Sequence, residues 1–561
     1  MRRIRRGLLA AVVVTFAMVA AGTGGAGAQS QGASAEATAT KPTRVLIVLF
    51  DQMRPEYADR FNMKNFKRLR DRGTNFEDAY LGYMGSETVI SHNVIVSGQL
   101  PKHMGWVDEA YRDTENLLLG GANAMWVTGD LSLAQFGTLV SHEGYPKLAE
   151  YLHAKFPGTK FITVGEKSYA VESIAAGGPT DDIAVRMSSR SGAPPVPDCF
   201  AGMQWRKPSG QNVPAYLLEE CGRFYINSDS SLHYGTKDAF PSWIYPEDGN
   251  RFFPGFDAAH LGGDTWVADA AMAMMENEDW SGMFLTLGAI DKAGHMWGAN
   301  KDVQPPRTDP GYQTHVKFSA KNADMQLGRI LAKLRDLGQL DETLVVLTAD
   351  HGATHGANFY GQKTAGASTN NWYYGEAAND GNGLAVAGPY NTPSPALAPL
   401  IATGNVQFSY QSTGIETWLT DNSLAKKLEA ANIMTTLPGV IASYYRDGNR
   451  FQLVDTNPMT NAERRWWRAH GQQIINTMAA ANGPDVVGLL HDDTSYGAYG
   501  DHGGATQEVQ EVPMVFWSPG LQFHNTTGAT FHTHDVLPTI LRTMGIPLVH
   551  PVDGRARNLD N

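Results

Sequence analysis

Short apolar runs, each followed closely by an aspartate, recur along the chain. Three of them are Arg44–Phe50 before Asp51, Gly282–Gly288 before Asp291 and Leu344–Thr348 before Asp350. A run that is apolar at nearly every position is typical of a strand covered on both faces, as in a parallel sheet. Between the last two runs, residues from Asp324 to Leu337 carry apolar side chains at helical spacing. This alternation predicts an α/β fold with a doubly wound, mostly parallel sheet.

The carboxyl ends of parallel strands lie at one edge of such a sheet, where ligands usually bind. We therefore expect Asp51, Asp291 and Asp350 to lie close together at that edge. Two long stretches interrupt the alternation. Residues 188–250 are rich in Pro, Gly and Ser, and residues 353–485 begin with a Gly- and Asn-rich segment. We interpret the first as a cap insertion and the second as an inserted subdomain.

The chain of 561 residues is too long for one compact core without insertions. The predicted organisation is a signal peptide at 1–28, a flexible spacer at 29–42, the catalytic core in three parts at 43–187, 251–352 and 486–561, and the two insertions at 188–250 and 353–485. The third core part contains a predicted strand, Val512–Trp517, and a predicted closing helix, Asp535–Met544.

The amino terminus has the pattern of an export signal. Arginines 2, 3, 5 and 6 precede an apolar run from Leu8 to Ala20, and Ala26-Gly27-Ala28 offers small residues for a signal peptidase. The apolar run is shorter than the ~20 residues that a spanning helix needs, and no later run is long enough. We expect a secreted or periplasmic protein without a membrane span after processing. General and twin-arginine export both remain open.

The net charge and the cysteine content limit which partners and which metal ligands the chain is expected to have. The net charge of −12 disfavours nucleic acid as a partner, because binding a polyanion requires clustered Lys and Arg. It permits a small phosphorylated substrate that is held by metal ions. The two cysteines, Cys199 and Cys221, are predicted to form a disulfide in an exported protein. Two cysteines cannot make a zinc–thiolate site, so a metal would bind Asp, Glu and His.

Four polar clusters are candidate metal ligands: Asp51, the pair Asp291 and His295, the pair Asp350 and His351, and the pair Asp501 and His502. Residues four apart, as in the second cluster, share one face of a helix. Any one cluster taken alone has an ordinary structural interpretation as a cap or a hydrogen-bonded polar group. Carboxylate and imidazole ligands without thiolate favour zinc or a similar first-row divalent ion.

The segment from Thr88 to Gly105 resembles the nucleophile segment of type I phosphodiesterases, nucleotide pyrophosphatases and related phosphatases. Thr88 lies four residues before His92 and ten before Gly98, which closes a Ser-Gly pair. A Pro-x-x-His-Gly stretch follows in that group, although here Met104 separates His103 from Gly105. The other clusters follow in the family's order, and the similar blocks extend from Arg44 to about Ile546.

The resemblance implies an alkaline phosphatase-like fold and two divalent metal ions, expected to be zinc. One ion would be held by Asp51, Thr88, Asp350 and His351, and the other by Asp291, His295 and His502. Thr88 would be the nucleophile, since metal coordination activates a hydroxyl that is otherwise unreactive at neutral pH. Ser86 is the alternative nucleophile, but its spacing to Gly98 fits less well. A sulfatase is disfavoured, because the Cys-x-Pro-x-Arg segment is absent.

Three residues bear on the substrate. Glu109 stands where relatives place an Asn that donates to a phosphoryl oxygen, so it either turns away, binds a further cation or recognises a positive group. Lys167 and Tyr169 occupy the place of a Lys-x-Arg element that serves monoesterases. With Arg missing, we favour phosphodiester or pyrophosphate substrates over monoesters. An inactive binding relative and a phosphate-isomerising mutase are the more remote alternatives, and the sequence does not predict the oligomeric state.

Overall fold

The computed structural model describes residues 41–128, 131–187, 205–218, 226–227, 261–299, 315–361, 393–498, 500–519, 521 and 526–559. The predicted export signal and the predicted disulfide between Cys199 and Cys221 lie outside the described residues. Among the described residues, no helix combines the length and the apolar character that crossing a membrane requires.

The strands and helices are numbered in chain order. The strands are β1 Arg44–Phe50, β2 Thr74–Tyr80, β3 Ala110–Asp113, β4 Ala124–Val127, β5 Lys160–Gly165, β6 Ile183–Met187, β7 Trp205–Arg206, β8 Pro208–Gln211, β9 Ile226–Asn227, β10 Trp280–Leu287, β11 Thr343–Thr348, β12 Asn358–Phe359, β13 Val406–Gln411, β14 Gly414–Leu419, β15 Val440–Asp447, β16 Arg450–Thr456, β17 Val486–Leu490, β18 Thr494–Ser495, β19 Met514–Trp517 and β20 Thr526–His532. The α-helices are α1 Tyr57–Arg60, α2 Lys64–Arg70, α3 Thr88–Ser97, α4 Leu133–Glu143, α5 Leu148–Lys155, α6 Ser168–Ala175, α7 Leu261–Asn277, α8 Ala289–Trp297, α9 His315–Asp336, α10 Ala398–Ile401, α11 Leu424–Thr435, α12 Asn461–Trp466, α13 Gln472–Ile475, α14 Gln507–Gln510 and α15 Val536–Met544.

A nine-stranded sheet in the order β20-β2-β19-β11-β1-β10-β5-β6-β8 forms the centre of the fold. Its middle strands β11, β1, β10, β5 and β6 run parallel to one another. Strands β19 and β8 are antiparallel to theirs. Alternate residues of β1 pack into two separate apolar clusters, Leu46, Val48 and Phe50 in one and Val45, Ile47 and Leu49 in the other. The sheet is therefore covered on both faces, and the predicted α/β class is confirmed.

Four neighbouring parallel strands end at the same edge of this sheet. Strand β11 leads to Asp350 and His351, β1 to Asp51, β10 through one turn to Asp291 on α8, and β5 to Lys167. The polar residues predicted at the strand ends thus share an edge, as the doubly wound topology requires.

The helix that carries Thr88 runs through the interior. All residues of α3 are buried, and the helix ends at Gly98, whose φ of 68° is the left-handed conformation that glycine adopts without strain. Its side chains pack on both large apolar clusters, Val89 and Val94 in one and Ile95 and Val96 in the other. The first residue of α3, Thr88, is therefore held firmly in place.

A second sheet of five strands, in the order β13-β14-β17-β15-β16, is wholly antiparallel. Helix α11 packs on it through Ala430, Ala431 and Met434. A buried ion pair joins Asp485, directly before β17, to Arg112 on β3 at 2.9 Å. This link connects the second sheet to the segment that follows the α3 helix.

Candidate metal centre

Three predicted ligands converge at the ends of β1 and β11. The Nε2 atom of His351 lies 3.7 Å from Oδ1 of Asp51 and 3.4 Å from Oδ2 of Asp350. All three side chains are fully buried. They form one of the groups in the described part of the chain whose ligand atoms lie close enough to share an ion.

The atoms that face each other in this first group lack hydrogen-bond partners among the described residues. They are Oδ1 of Asp51, Oδ2 of Asp350 and Nε2 of His351. Burial, together with the charges of Asp291 and Asp350, raises the pKa of Asp51 well above its usual value. Buried polar atoms are normally paired, and a divalent cation would satisfy all three at once. The donor set fits zinc or a similar first-row ion.

The second group forms a nearly regular triangle. Oδ1 of Asp291 lies 3.1 Å from Nε2 of His295 and 3.5 Å from Nε2 of His502. The two imidazole nitrogens lie 3.1 Å apart. Ligands at about 2.0–2.1 Å from a tetrahedral zinc ion stand roughly 3.3 Å apart, so the triangle matches such a site.

Lys167 joins the two groups. Its Nζ atom lies 2.7 Å from Oδ2 of Asp51 and 2.6 Å from Oδ2 of Asp291, and it donates to Oγ1 of Thr88 at 3.2 Å. Burial lowers the pKa of this lysine, but the charges of Asp291 and Asp51 raise it well above its usual value. The ammonium group therefore carries a firm positive charge between the two predicted ligand groups.

Thr88 lies at the amino-terminal end of α3, beside both groups. Its backbone oxygen contacts Nδ1 of His92 at 2.7 Å, and Nε2 of His92 contacts the hydroxyl of Thr286 on β10 at 2.8 Å. His92 therefore ties the first turn of α3 to the central sheet. The alternative nucleophile, Ser86, donates to the oxygen of Gly504 and accepts from its nitrogen.

The three predicted substrate residues lie around this centre. Glu109 is buried and faces the first turn of α3, where Oε1 accepts from the nitrogen of Val89 and Oε2 from the hydroxyl of Tyr410, both at 3.3 Å. Burial and the charge of Glu87 raise the pKa of Glu109 to about 7. Tyr169 is half-buried and contributes to the raised pKa of Lys167.

Sequence reasoning did not single out Glu87. Its Oε2 atom lies 2.6 Å from Nδ1 of His502, and both side chains are buried. The only signal in the sequence is its position directly before Thr88. Nothing in the spacing connects it to His502, which follows both insertions. The contact exists only because the fold brings two distant loops together.

This fold and these clusters define a member of the alkaline phosphatase superfamily. Residues 45–374, more than half of the chain, match the profile of the type I phosphodiesterase / nucleotide pyrophosphatase family. The chain belongs to that family.

Named relatives agree with this assignment. Alkaline phosphatase PhoK from Sphingomonas sp is 24% identical over 340 residues, which cover 56% of this chain and 56% of PhoK. The similarity thus spans about half the length of that curated relative. Two crystal structures of alkaline phosphatase PafA, a mutant and the wild type, match with TM-scores of 0.55 and 0.50 at 16% and 15% identity. Each match covers 90% of this chain and 96% of PafA. These structures support the fold.

Proposed function

We propose that the protein is an exported two-metal hydrolase of phosphate esters that works through a phosphothreonine intermediate on Thr88. The observation that carries this proposal is the convergence of the predicted ligands into two adjacent groups beside one threonine hydroxyl. The triangle of Asp291, His295 and His502 has edges of 3.1–3.5 Å. Family membership supports the same reaction class, because the family is named for phosphodiester and pyrophosphate cleavage.

Bound divalent ions would lower the pKa of the attacking hydroxyl and neutralise charge on the phosphoryl oxygens. The remaining work falls to the chain itself. Thr88 Oγ1 attacks phosphorus, the P–O bond to the leaving group breaks, and water later cleaves the Thr88–phosphate bond to regenerate the hydroxyl. Lys167, at 3.2 Å from Thr88 Oγ1, is placed to neutralise charge beside the nucleophile. His92 fixes the backbone of Thr88.

The substrate class that we propose is phosphodiesters or pyrophosphates, with monoesters as the alternative. A monoester carries one more negative charge than a diester and needs more positive charge from the site. Lys167 supplies one charge, while Tyr169 and Glu109 supply none where relatives place Arg and Asn. Glu109 instead accepts from the α3 backbone and from Tyr410, so in this arrangement it offers no donor to a phosphoryl oxygen.

Two finer points belong to the same proposal. We infer that zinc fills both groups, because imidazole and carboxylate donors suit zinc. We also infer export, because a basic segment and a short apolar run precede the small residues near Ala28. Amino-terminal sequencing of the protein recovered outside the cytoplasm would test export, with Gln29 as the expected first residue.

The experiment that tests the reaction compares Thr88→Ala with Ser86→Ala in zinc-loaded protein. We expect Thr88→Ala to reduce turnover of bis-p-nitrophenyl phosphate by at least about a thousandfold, and Ser86→Ala to retain it within roughly tenfold. Attack on this diester expels one p-nitrophenolate, so acid quenching should trap a p-nitrophenyl phosphate group esterified to Thr88. Unchanged turnover in Thr88→Ala would exclude it as the nucleophile, and faster cleavage of p-nitrophenyl phosphate than of the diester would favour the monoesterase alternative.

A further inference from the structure

The three imidazoles in the two ligand groups differ in what holds their second ring nitrogen. For His351, Nδ1 lies 3.1 Å from the backbone oxygen of Gly352. For His295, Nδ1 lies 3.8 Å from Oδ1 of Asp501, beyond hydrogen-bond distance. For His502, Nδ1 lies 2.6 Å from Oε2 of Glu87, an ion-pair contact in which the N–H is not aligned with the oxygen. Among the described residues, a carboxylate lies within hydrogen-bond distance of the second ring nitrogen in His502 and not in the other two imidazoles.

The position of Glu87 is unusual for an acidic residue. It is the N-cap of α3, where an acidic side chain normally accepts from a backbone N–H of the first turn, yet Glu87 makes no such bond. Glu109 accepts from Val89, the second residue of the helix, instead. Because another carboxylate caps the helix, Glu87 is available to contact His502.

We propose that Glu87 is a positioning residue that fixes the ring orientation and tautomer of His502 for the second metal ion. The inference rests on the proposed function, since it assumes that Asp291, His295 and His502 bind an ion. The negative charge of a carboxylate at 2.6 Å favours the proton on Nδ1 over Nε2, and it leaves the lone pair of Nε2 facing Asp291 and His295. The ring of His502 also stacks on that of His351, with the ring centroids 3.6 Å apart.

Glu87 also lies directly before Thr88 in the chain. A ligand of the second ion is thereby tied to the residue that precedes the nucleophile. The same loop would therefore help to position a second ion, if bound, relative to the threonine hydroxyl. Loss of the contact should weaken the second ion without removing the first, whose ligands are at the ends of β1 and β11.

The test measures zinc affinity by competition with a chromophoric chelator, and zinc content by elemental analysis, in Glu87→Ala and Glu87→Gln. We expect the wild type to hold two ions per chain. In Glu87→Ala the second ion should bind roughly 100-fold more weakly, and in Glu87→Gln, which keeps the size and an accepting oxygen, about 10-fold more weakly. The first ion should keep its wild-type affinity in both variants. Circular dichroism and thermal melting verify that each variant folds.

Glu416→Gln is the matched control. Glu416 is also buried, and neither of its side-chain oxygens has a hydrogen-bond partner among the described residues. Its substitution removes a buried carboxyl group without touching a predicted ligand, so both ions should bind with wild-type affinity. Wild-type affinity in Glu87→Ala would overturn the proposal. Equal weakening in Glu416→Gln would also overturn it, because the effect would then follow from the loss of any buried carboxyl group.

The zinc content of the wild type distinguishes a failure of this proposal from a failure of the proposed function. If the wild type bound no second ion, the two-metal hydrolase itself would fail, and the Glu87 variants would have nothing to change. If the wild type bound two ions and the Glu87 variants retained both, only the role of Glu87 would fail.

Discussion

The two groups of predicted ligands lie side by side but are built differently. Asp51, Asp350 and His351 directly follow neighbouring parallel strands and are fully buried. Asp291 and His295 lie on α8, and His502 lies on a loop after both insertions. The side chain of His295 is 16% exposed. The first group is thus fixed by the central sheet, while the second depends on a helix, a loop and the contact with Glu87.

This difference indicates which part of the candidate metal centre should tolerate changes in the positions of its side chains. A ligand at the end of a fully paired strand cannot move without disturbing the sheet, so the first group should tolerate little change. A ligand held by one helical turn and a loop can adjust. We therefore expect substitutions in the first group to abolish activity, and substitutions in the second group to weaken metal affinity.

The largest expected effect comes from the sheet-built group. Asp51→Asn keeps the size of the side chain but removes the negative charge that would balance the positive charge of the first ion. Because this site has little freedom to adapt, turnover should fall by about a thousandfold or more, equivalent to roughly 4 kcal/mol, even with excess zinc. Steady-state kinetics across a zinc titration would measure it. Full recovery at high zinc would contradict the rigid character of this group.

A smaller and reversible effect is expected from the helix-built group. His295→Ala removes the most exposed ligand, and water can take its place. At limiting zinc, turnover should fall by roughly a hundredfold, and excess zinc should restore it to within about tenfold of the wild type. The same zinc titration measures this recovery. A loss that zinc does not restore would mean that both groups are equally rigid.

The smallest expected effect concerns the metal-free protein. Burial raises the pKa of Asp350 to about 6, so the folded state binds a proton more tightly than the unfolded state does. The stabilisation of the folded state that this tighter proton binding provides is present at low pH and is lost as the pH rises through 6. Between pH 5 and 7 the chelator-treated wild type should lose about 1 kcal/mol more stability than Asp350→Asn. Urea unfolding of the two proteins measures this difference. Equal losses of stability would contradict a raised pKa for Asp350.

Much of the fold followed from the apolar pattern. Strands covered on both faces are apolar at nearly every position, so β1, β10 and β11 were identifiable from the sequence. Helix α9 begins at His315, earlier than the predicted Asp324, because its first turns contact the core through Val316, Ala320 and Ala323. Alanine is a weak marker of a buried stripe, so this part of the helix left little signal.

The proximity of the predicted ligands followed from the sequence where they come after strands or form motifs, and not where it depends on contacts between distant segments. Glu109 was identified by its place after Thr88, but its partner Tyr410 comes from β13 of the second sheet. Glu87 contacts His502 although both insertions separate the two residues in the sequence. Such contacts depend on how loops and insertions pack, which local periodicity does not encode.

Anomalous diffraction from zinc-loaded crystals would test the central claim most directly. The account predicts two peaks about 4 Å apart. One should lie among Asp51, Thr88, Asp350 and His351, and the other among Asp291, His295 and His502. A single peak, or two peaks away from these side chains, would contradict the account.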